Sequence, residues 1–576
     1  MTLSRRDFLF SLGAAAASGL SISNRKAIAN PHLNALYDVP RFGNVHLLHM
    51  TDCHAQLNPV YFREPSMNLG VGSAADKLPH IVGENLLRAL NIPSGSELAH
   101  AFSCLDFEES ALKFGRLGGF AHLKTLVDKL RSDRPGAILL DGGDTWQGSG
   151  TALWSKGQDM VDACLLLGVD VMTAHWEMTL GAKRVKDIVN NDFSGRIDFL
   201  AQNIKTFDFD DPVFDSFTIK EMNGVPVAII GQAFPYTPIA NPSHLVPDWS
   251  FGIREYELQQ LVNRIRKQGI KVVVLLSHNG MDVDLKLGSR VTGVDAILGG
   301  HTHDGMPVPV IVPNRLGRTI VTNGGSNGKF LGVLDFAVSA SGITDFRYRL
   351  LPVFSKFIDP DKEMEELIHR VRQPFEHRLS EPLAITEGLM FRRGNFNGSF
   401  DQIILDALID ELNADVAFSP GFRWGTSLLP NSTITMEALL EQTATTYSYS
   451  TLTEMTGETI KLILEDVADN IFNPDPYYQQ GGDMVRVGGM TYTIEPSEVI
   501  GSRISDMRIE GALIDPNKTY KVAGWAPVRE DASGELIWDL VARWLKHKKI
   551  VSSKNPNMPR IKGFGGSLGM TEHCGV

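Results

Sequence analysis

Five times along this chain a short apolar run ends in a cluster of side chains suited to binding metals or protons. Val45–Met50 leads into Asp52-Cys53-His54, and residues 137–140 lead into Asp141-Gly142-Gly143-Asp144. Residues 169–173 lead into Ala174-His175-Trp176-Glu177, and residues 272–276 into Ser277-His278-Asn279-Gly280. Residues 296–298 lead into Gly299-Gly300-His301-Thr302-His303. Apolar runs of this length, rich in β-branched residues, read as buried strands, as does 227–230. Between two of them Leu258, Leu261, Val262 and Ile265 recur at helical spacing, with Gly269 placed for a C-terminal cap. Strands alternating with helices predict a layered α/β fold. Such folds gather ligands outside the carboxyl ends of their strands, so the five clusters have one place to meet. Taken singly, each histidine is explained by an ordinary hydrogen bond. Five clusters in order, each after an apolar strand, point to a metal site.

The rest of the chain sets bounds on that reading. It has 576 residues, 43% apolar and 21% charged, with a net charge of −12. That length suits two to four domains of an ordinary soluble protein. The acidic balance argues against nucleic acid as a partner, since phosphate affinity comes from Lys and Arg. It does not exclude an anionic substrate, because bound cations supply positive charge that a residue count misses. Four cysteines, Cys53, Cys104, Cys164 and Cys574, form no CxxC pair, and their pairing is left open. Cys53 reads as a passive residue between two ligand types.

Residues 1–29 read as a twin-arginine export signal: Ser4-Arg5-Arg6-Asp7-Phe8-Leu9, a weak apolar run, then Ala27-Ile28-Ala29. The run is too short and weak for a membrane span, no later stretch reaches 18 continuous apolar residues, and the expected location is the periplasm. Removing that segment takes away Arg5, Arg6, Arg25, Lys26 and Asp7 and brings the net charge to −15. Residues 30–356 form the expected dimetal domain. Asp359-Pro360 breaks the chain, and Met364, Leu367, Ile368 and Val371 mark a linker helix within 357–384, ended by Pro374. Residues 385–576 form a smaller α/β domain, with a tail rich in Gly and Pro from Asn555.

Order and spacing of the five clusters resemble the calcineurin-like metallophosphoesterases, in particular their 5′-nucleotidase branch. There DxH, GDxx, GNH[DE], an isolated His and GHxH build a two-metal site, and a C-terminal substrate domain follows a linker helix. The resemblance implies that Asp52, His54 and His303 hold one metal. It implies that His175, His278 and His301 hold the other, and that Asp144 bridges them.

The third cluster departs from that pattern. His175 stands for the asparagine ligand, Trp176 for the histidine that serves the leaving oxygen, and Ala174 for the preceding glycine. An alkoxide leaving group benefits from a general acid. A sulfur leaving group, with a pKa near ~8.5 for a thiol, departs without one. The His-Trp-Glu cluster, Thr51-Asp52-Cys53-His54-Ala55-Gln56-Leu57, Tyr61-Phe62-Arg63-Glu64-Pro65 and Pro476-Tyr477-Tyr478-Gln479-Gln480-Gly481-Gly482-Asp483-Met484 resemble the thiosulfohydrolases of bacterial Sox sulfur oxidation. That likeness implies two manganese ions as cofactor. It implies, as partner, a sulfur-carrier protein bearing a cysteine S-thiosulfonate, from which sulfate is released.

In the second domain Gly421-Phe422-Arg423-Trp424-Gly425 falls where the nucleotidase branch has a substrate-binding arginine. Arg423 is therefore the candidate anion grip, with a structural arginine under Trp424 as the alternative. Asp144, Trp176 and Arg423 are the candidate catalytic residues. Tyr477 and Tyr478 would stack on a base in a nucleotidase or line a channel for a carrier peptide. Two other readings stay open: a periplasmic 5′-nucleotidase or cyclic phosphodiesterase, and a non-catalytic, metal-stabilised binding protein.

Overall fold

Strand Val45–Met50 (β1) is buried along its whole length, and it carries apolar side chains on both faces because it has a layer on each side. In the computed structural model, which describes residues 36–552 and 555–574, β1 lies inside a six-stranded sheet. Ile138–Asp141 (β2), Val171–Met172 (β3) and Asp198–Phe199 (β4) follow it in parallel on one side. A second sheet contains Phe217–Met222 (β5), Val225–Gln232 (β6), Val272–Ser277 (β7), Ala296–Gly299 (β8), Val310–Asn314 (β9) and Gly317–Asn323 (β10). Its order is β9-β10-β8-β7-β6-β5, with β6, β7, β8 and β10 parallel. Phe330–Ser339 (β11) and Gly342–Pro352 (β12) then return to the first sheet, β11 pairing antiparallel with β1. The export-signal reading of residues 1–29 lies outside the described residues.

The two sheets pack face to face. Val45, Leu47, Ile138 and Leu140 from one meet Val227, Ile229, Val272, Val274, Leu276, Ala296 and Leu298 from the other. The alternate residues face outward onto helices. Leu48, Met50, Leu139 and Met172 pack under helices Phe120–Asp133 and Gln158–Leu167. Ala228, Ile230, Val273 and Leu275 pack under Glu255–Lys267. That helix ends at Gly269, in the left-handed region at φ +86°, as its pattern predicts. The result is a four-layer α/β/β/α sandwich whose parallel strands all end on one rim.

The helix marked by Met364, Leu367, Ile368 and Val371 spans Lys362–Arg372, and Asp361 caps it through the Met364 amide. Its apolar face belongs to the N-terminal core. Beyond it, Ser399–Leu412 and Ile537–Lys548 cover a mixed sheet of Ser450–Thr456, Thr519–Trp525, Val416–Ser419 and Arg486–Gly488. The tail turns back onto the N-terminal half, where the Thr571 amide donates to the Ser66 carbonyl and Cys574 is disulfide-bonded to Cys104. Cys53 and Cys164 are free and buried. No helix among the described residues is long and apolar enough to cross a membrane.

Candidate metal centre

The loops after β1, β2, β3, β7 and β8 bring seven side chains to one point on the rim. Asp144, His175, His278 and His301 place one ligand atom each within 4.8 Å of one another. Asp52, His54, Asp144 and His303 do the same, so Asp144 belongs to both groups. All seven residues are at most 9% exposed. All seven are named from the sequence as candidate ligands, their division into two groups being what the resemblance implies.

The backbone is bent hard to achieve this. Asp52, His54, Asp144, His301 and His303 all have φ between +46° and +70°, a left-handed conformation that side-chain-bearing residues seldom adopt. Such strain persists only where the surroundings over-determine it. Here the Asp52 amide donates to the Gly143 carbonyl and the His54 amide to the Asp144 carbonyl, both at 2.8 Å. The buried Glu177 carboxylate accepts from four backbone amides, those of Asp144, Thr145, Trp146 and His175. It therefore ties the second cluster to the third. A Cβ on Gly300 would fall 2.4 Å from Thr51 Oγ1 and 2.9 Å from Asp52 Oδ2, so only glycine lets that loop approach.

Each imidazole has one nitrogen turned toward the centre, and four have the other turned toward a protein group. His278 Nδ1 donates to the Gly142 carbonyl at 2.6 Å and His301 Nε2 to the Gln480 carbonyl at 2.9 Å. His54 Nδ1 lies 3.3 Å from the Gln147 carbonyl, and His175 Nε2 lies 3.2 Å from the Asn241 amide. Inward, His175 Nδ1 is 3.2 Å from Asp144 Oδ2, and His303 Nε2 is 3.2 Å from Asp52 Oδ1. His278 Nε2 comes within 3.1 Å of Asp144 Oδ2 as an ion-pair contact.

The charges explain what the site asks for. Burial holds His54 at about 3 and keeps His301 and His303 well below the usual histidine range, so all three are neutral ligands near neutral pH. Burial raises Asp52 to about 6. Burial also opposes charge on Asp144, but His175 and His278 outweigh it and hold its carboxyl well below the ordinary range. For His278 burial is outweighed by Asp144 and Asp52, which raise it to about 10. A buried carboxylate pair thus draws positive charge onto the nearest imidazole. Two carboxylates and five imidazoles suit divalent first-row cations, and outer hydrogen bonds on the histidines orient them for ligation. The residues fit a two-metal centre.

The C-terminal half closes the rim. Arg423 donates from Nη1 to the carbonyl of Thr302, the residue between the candidate ligands His301 and His303, at 3.0 Å. Its Nε donates to Asp483 and its Nη2 to the Gly482 carbonyl, so all three nitrogens are engaged. Arg393, which the motif reading passes over, donates from Nη2 to the same Thr302 carbonyl, while its Nε has no hydrogen-bond partner. Both guanidinium charges press on His303. The Arg392-Arg393 pair ahead of a helix was the signal available: Arg392 turns inward to Asp401, and Arg393 turns to the centre. Trp176 donates its backbone amide to Asp144 Oδ1 at 2.7 Å. Its indole enters the C-terminal core, parallel to Tyr447 and edge-on to Phe422 and Trp424. Tyr477 is held by Glu255 and Lys286, whereas Tyr478 is exposed. A Cβ on Gly481 would fall 2.4 Å from His301 Nε2, so glycine permits the loop of Gln480 to reach the metal rim.

Known proteins share this fold. Residues 385–536 match the family described as 5′-nucleotidase, C-terminal domain. The chain is 34% identical to the Sulfate thiohydrolase SoxB of Thermus thermophilus, solved in complex with glycerol, over 92% of this chain and 98% of that one, with a TM-score of 0.87. A 5′-nucleotidase precursor from Thermus thermophilus has the same fold at 20% identity, over 90% and 99% of the two chains, with a TM-score of 0.70. The 5′-nucleotidase of Rattus norvegicus is 25% identical over 434 residues, covering 68% of this chain and 72% of its own. With likeness running over nearly the full length of both halves, the chain belongs to the 5′-nucleotidase family and has the calcineurin-like phosphoesterase fold.

Proposed function

We propose that this hydrolase removes the sulfonate of a cysteine S-thiosulfonate on a sulfur-carrier protein, releasing sulfate in the periplasm. The observation that carries the reading is Trp176: its backbone amide donates to the shared carboxylate Asp144, and where the family has an imidazole its side chain is an indole with no titratable proton to give to a leaving oxygen. The 34% identity to a sulfate thiohydrolase supports it, as does the export-signal pattern of residues 1–29.

In this reading Asp52, His54 and His303 would hold one cation and His175, His278 and His301 the other, with Asp144 available to both; manganese is the proposed metal. Two such cations supply Lewis acidity to a tetrahedral anion and to the attacking water. Arg393 offers its free Nε–H to a sulfonate oxygen, and Arg423 fixes the carbonyl at Thr302 that both arginines share. Trp176, Phe422 and Trp424 form an aromatic wall, with Trp424 also 6.1 Å from His54 between ring centroids. The wall suits a soft sulfur better than a hydrated alkoxide. Water oxygen bonds to the sulfonate sulfur and gives up its two protons to solvent, the sulfur–sulfur bond breaks, and its electron pair leaves on the carrier's persulfide, so the products are sulfate and persulfide. No oxidant is consumed.

The competing reading, a 5′-nucleotidase or cyclic phosphodiesterase, draws on the 25% identity to a curated 5′-nucleotidase. Offering the manganese-loaded protein AMP and, separately, a cysteine S-thiosulfonate peptide decides between them. Sulfate release with little phosphate is the expected result; brisk phosphate release without sulfate overturns the proposal.

A further inference from the structure

His175 and Trp176 each create a physical demand that the family's asparagine and histidine do not. An imidazole that offers Nδ1 to a cation keeps its proton on Nε2. His175 is 3% exposed, so that N–H needs a buried acceptor or a hydrogen bond is forfeited. Trp176, 6% exposed, needs a flat apolar surface to lie against.

Both demands lead to one tyrosine. Asn241, which follows the short helix Thr237–Ala240, has its side-chain amide 3.2 Å from His175 Nε2. The other end of that amide accepts from the Tyr447 hydroxyl at 2.9 Å. The ring of the same Tyr447 lies parallel to Trp176, 3° between planes and 5.9 Å between centroids. Asn241 and Tyr447 are 3% and 7% exposed, so water does not compete for these contacts.

We propose that Asn241 and Tyr447 are positioning residues for the His175 side of the centre. Asn241 holds the imidazole with Nδ1 toward Asp144, and Tyr447 holds both the amide and the indole. The inference rests on the two-metal reading of the site and not on the sulfur chemistry. An amide turned end for end keeps its shape. With Oδ1 toward His175 it accepts the Nε2 proton, and Nδ2 then donates to the tyrosine oxygen. Tyr447 belongs to the C-terminal half and His175 to the N-terminal half. The grip on one cation is thereby tied to the seating of the other half of the molecule.

The test uses the full chain loaded with Mn²⁺ and dialysed against graded chelator, with metal per chain read by atomic absorption. Wild type should release its two ions at high chelator strength. Asn241→Leu should lose one ion at a chelator strength about 10–100-fold lower and keep the other, the usual scale for an outer hydrogen-bond partner. Asn241→Asp keeps an acceptor and should hold both ions like wild type. Tyr447→Phe, which removes one oxygen and keeps the ring stack, should shift one ion by about tenfold, toward the low end of that range. A purely structural role would lower the melting temperature of the variants without separating the release of the two ions. A wild-type release profile in folded Asn241→Leu and in Tyr447→Phe overturns the proposal, as does loss from Asn241→Asp equal to that from Asn241→Leu. If Asn241→Leu does not fold, Tyr447→Phe alone decides. Wild type that fails to take up two ions overturns the two-metal reading instead.

Discussion

His54 Nε2 and His303 Nε2 face each other at 3.0 Å, although 249 residues separate them in sequence. Both rings are neutral under burial, and a divalent cation gives both lone pairs a partner. Stripping metal should therefore cost stability as well as activity. A ligand present at a thousand times its Kd contributes about 4 kcal/mol. Differential scanning calorimetry before and after chelation should read a fall of several degrees, reversed by Mn²⁺. An unchanged melting temperature would separate the site from the fold.

Asp144→Asn removes the carboxylate common to both groups of ligands. Metal content should fall for both ions and kcat/KM by at least about 100-fold, above the usual cost of an outer partner. Elemental analysis of the purified variant would show two ions retained if Asp144 were not shared.

Trp176→His restores an imidazole beside Asp144. If leaving-group pKa is the reason for the indole, this variant should gain hydrolysis of phosphate monoesters by about 10–100-fold, within the range of general acid catalysis. Sulfate release from the thiosulfonate peptide should change less. A variant that folds, loads metal and gains no phosphatase activity counts against that reason.

Arg393 and Arg423 should separate by readout. Arg423→Gln breaks a buried contact to Asp483 and should cost about 3 kcal/mol of stability. Arg393→Lys keeps the charge but loses the planar fork, and should raise KM about tenfold with little change in melting temperature. Equal stability losses in both would place Arg393 in the scaffold alone.

Acid should destabilise the protein through histidines buried neutral. Burial lowers His49 to about 3 and His100 to about 4. Below an ordinary pKa of ~6.5 the unfolded chain binds protons that the folded chain does not, so stability falls as pH drops. At pH 5 each such histidine costs about 2 kcal/mol. His100 packs among the rings of Phe107, Phe114 and Phe354. His100→Phe should flatten the loss of melting temperature between pH 6.5 and 5, and an unaltered slope would refute its part.

The strands were legible because a two-faced burial selects mostly apolar residues, as in Val272–Ser277 up to its last residue and in Val45–Met50 apart from His46 and His49. The run at 169–173 shortens to Val171–Met172. The seven side chains that meet on the rim were legible as candidates because each sits just past a strand end. What closes around them was not. Asn241 and the Gln480 carbonyl contribute through position, with no chemistry in the sequence to mark them. The pairing of Cys104 with Cys574 spans 470 residues and depends on where the tail lands. The helix Lys362–Arg372 announces its apolar stripe, but not that the stripe belongs to the N-terminal core.

That tail has a mechanical consequence. The C-terminal half is joined covalently to its neighbour by the turn after Lys362–Arg372 and again, through the tail, by the Cys104–Cys574 bridge. A body held at two separated points swings freely only about the line between them. Any parting of Trp176 from Tyr447, which lie ring to ring, would therefore follow a door's single axis and not a tether's wide cone, and each closure would return the same ring to the same indole.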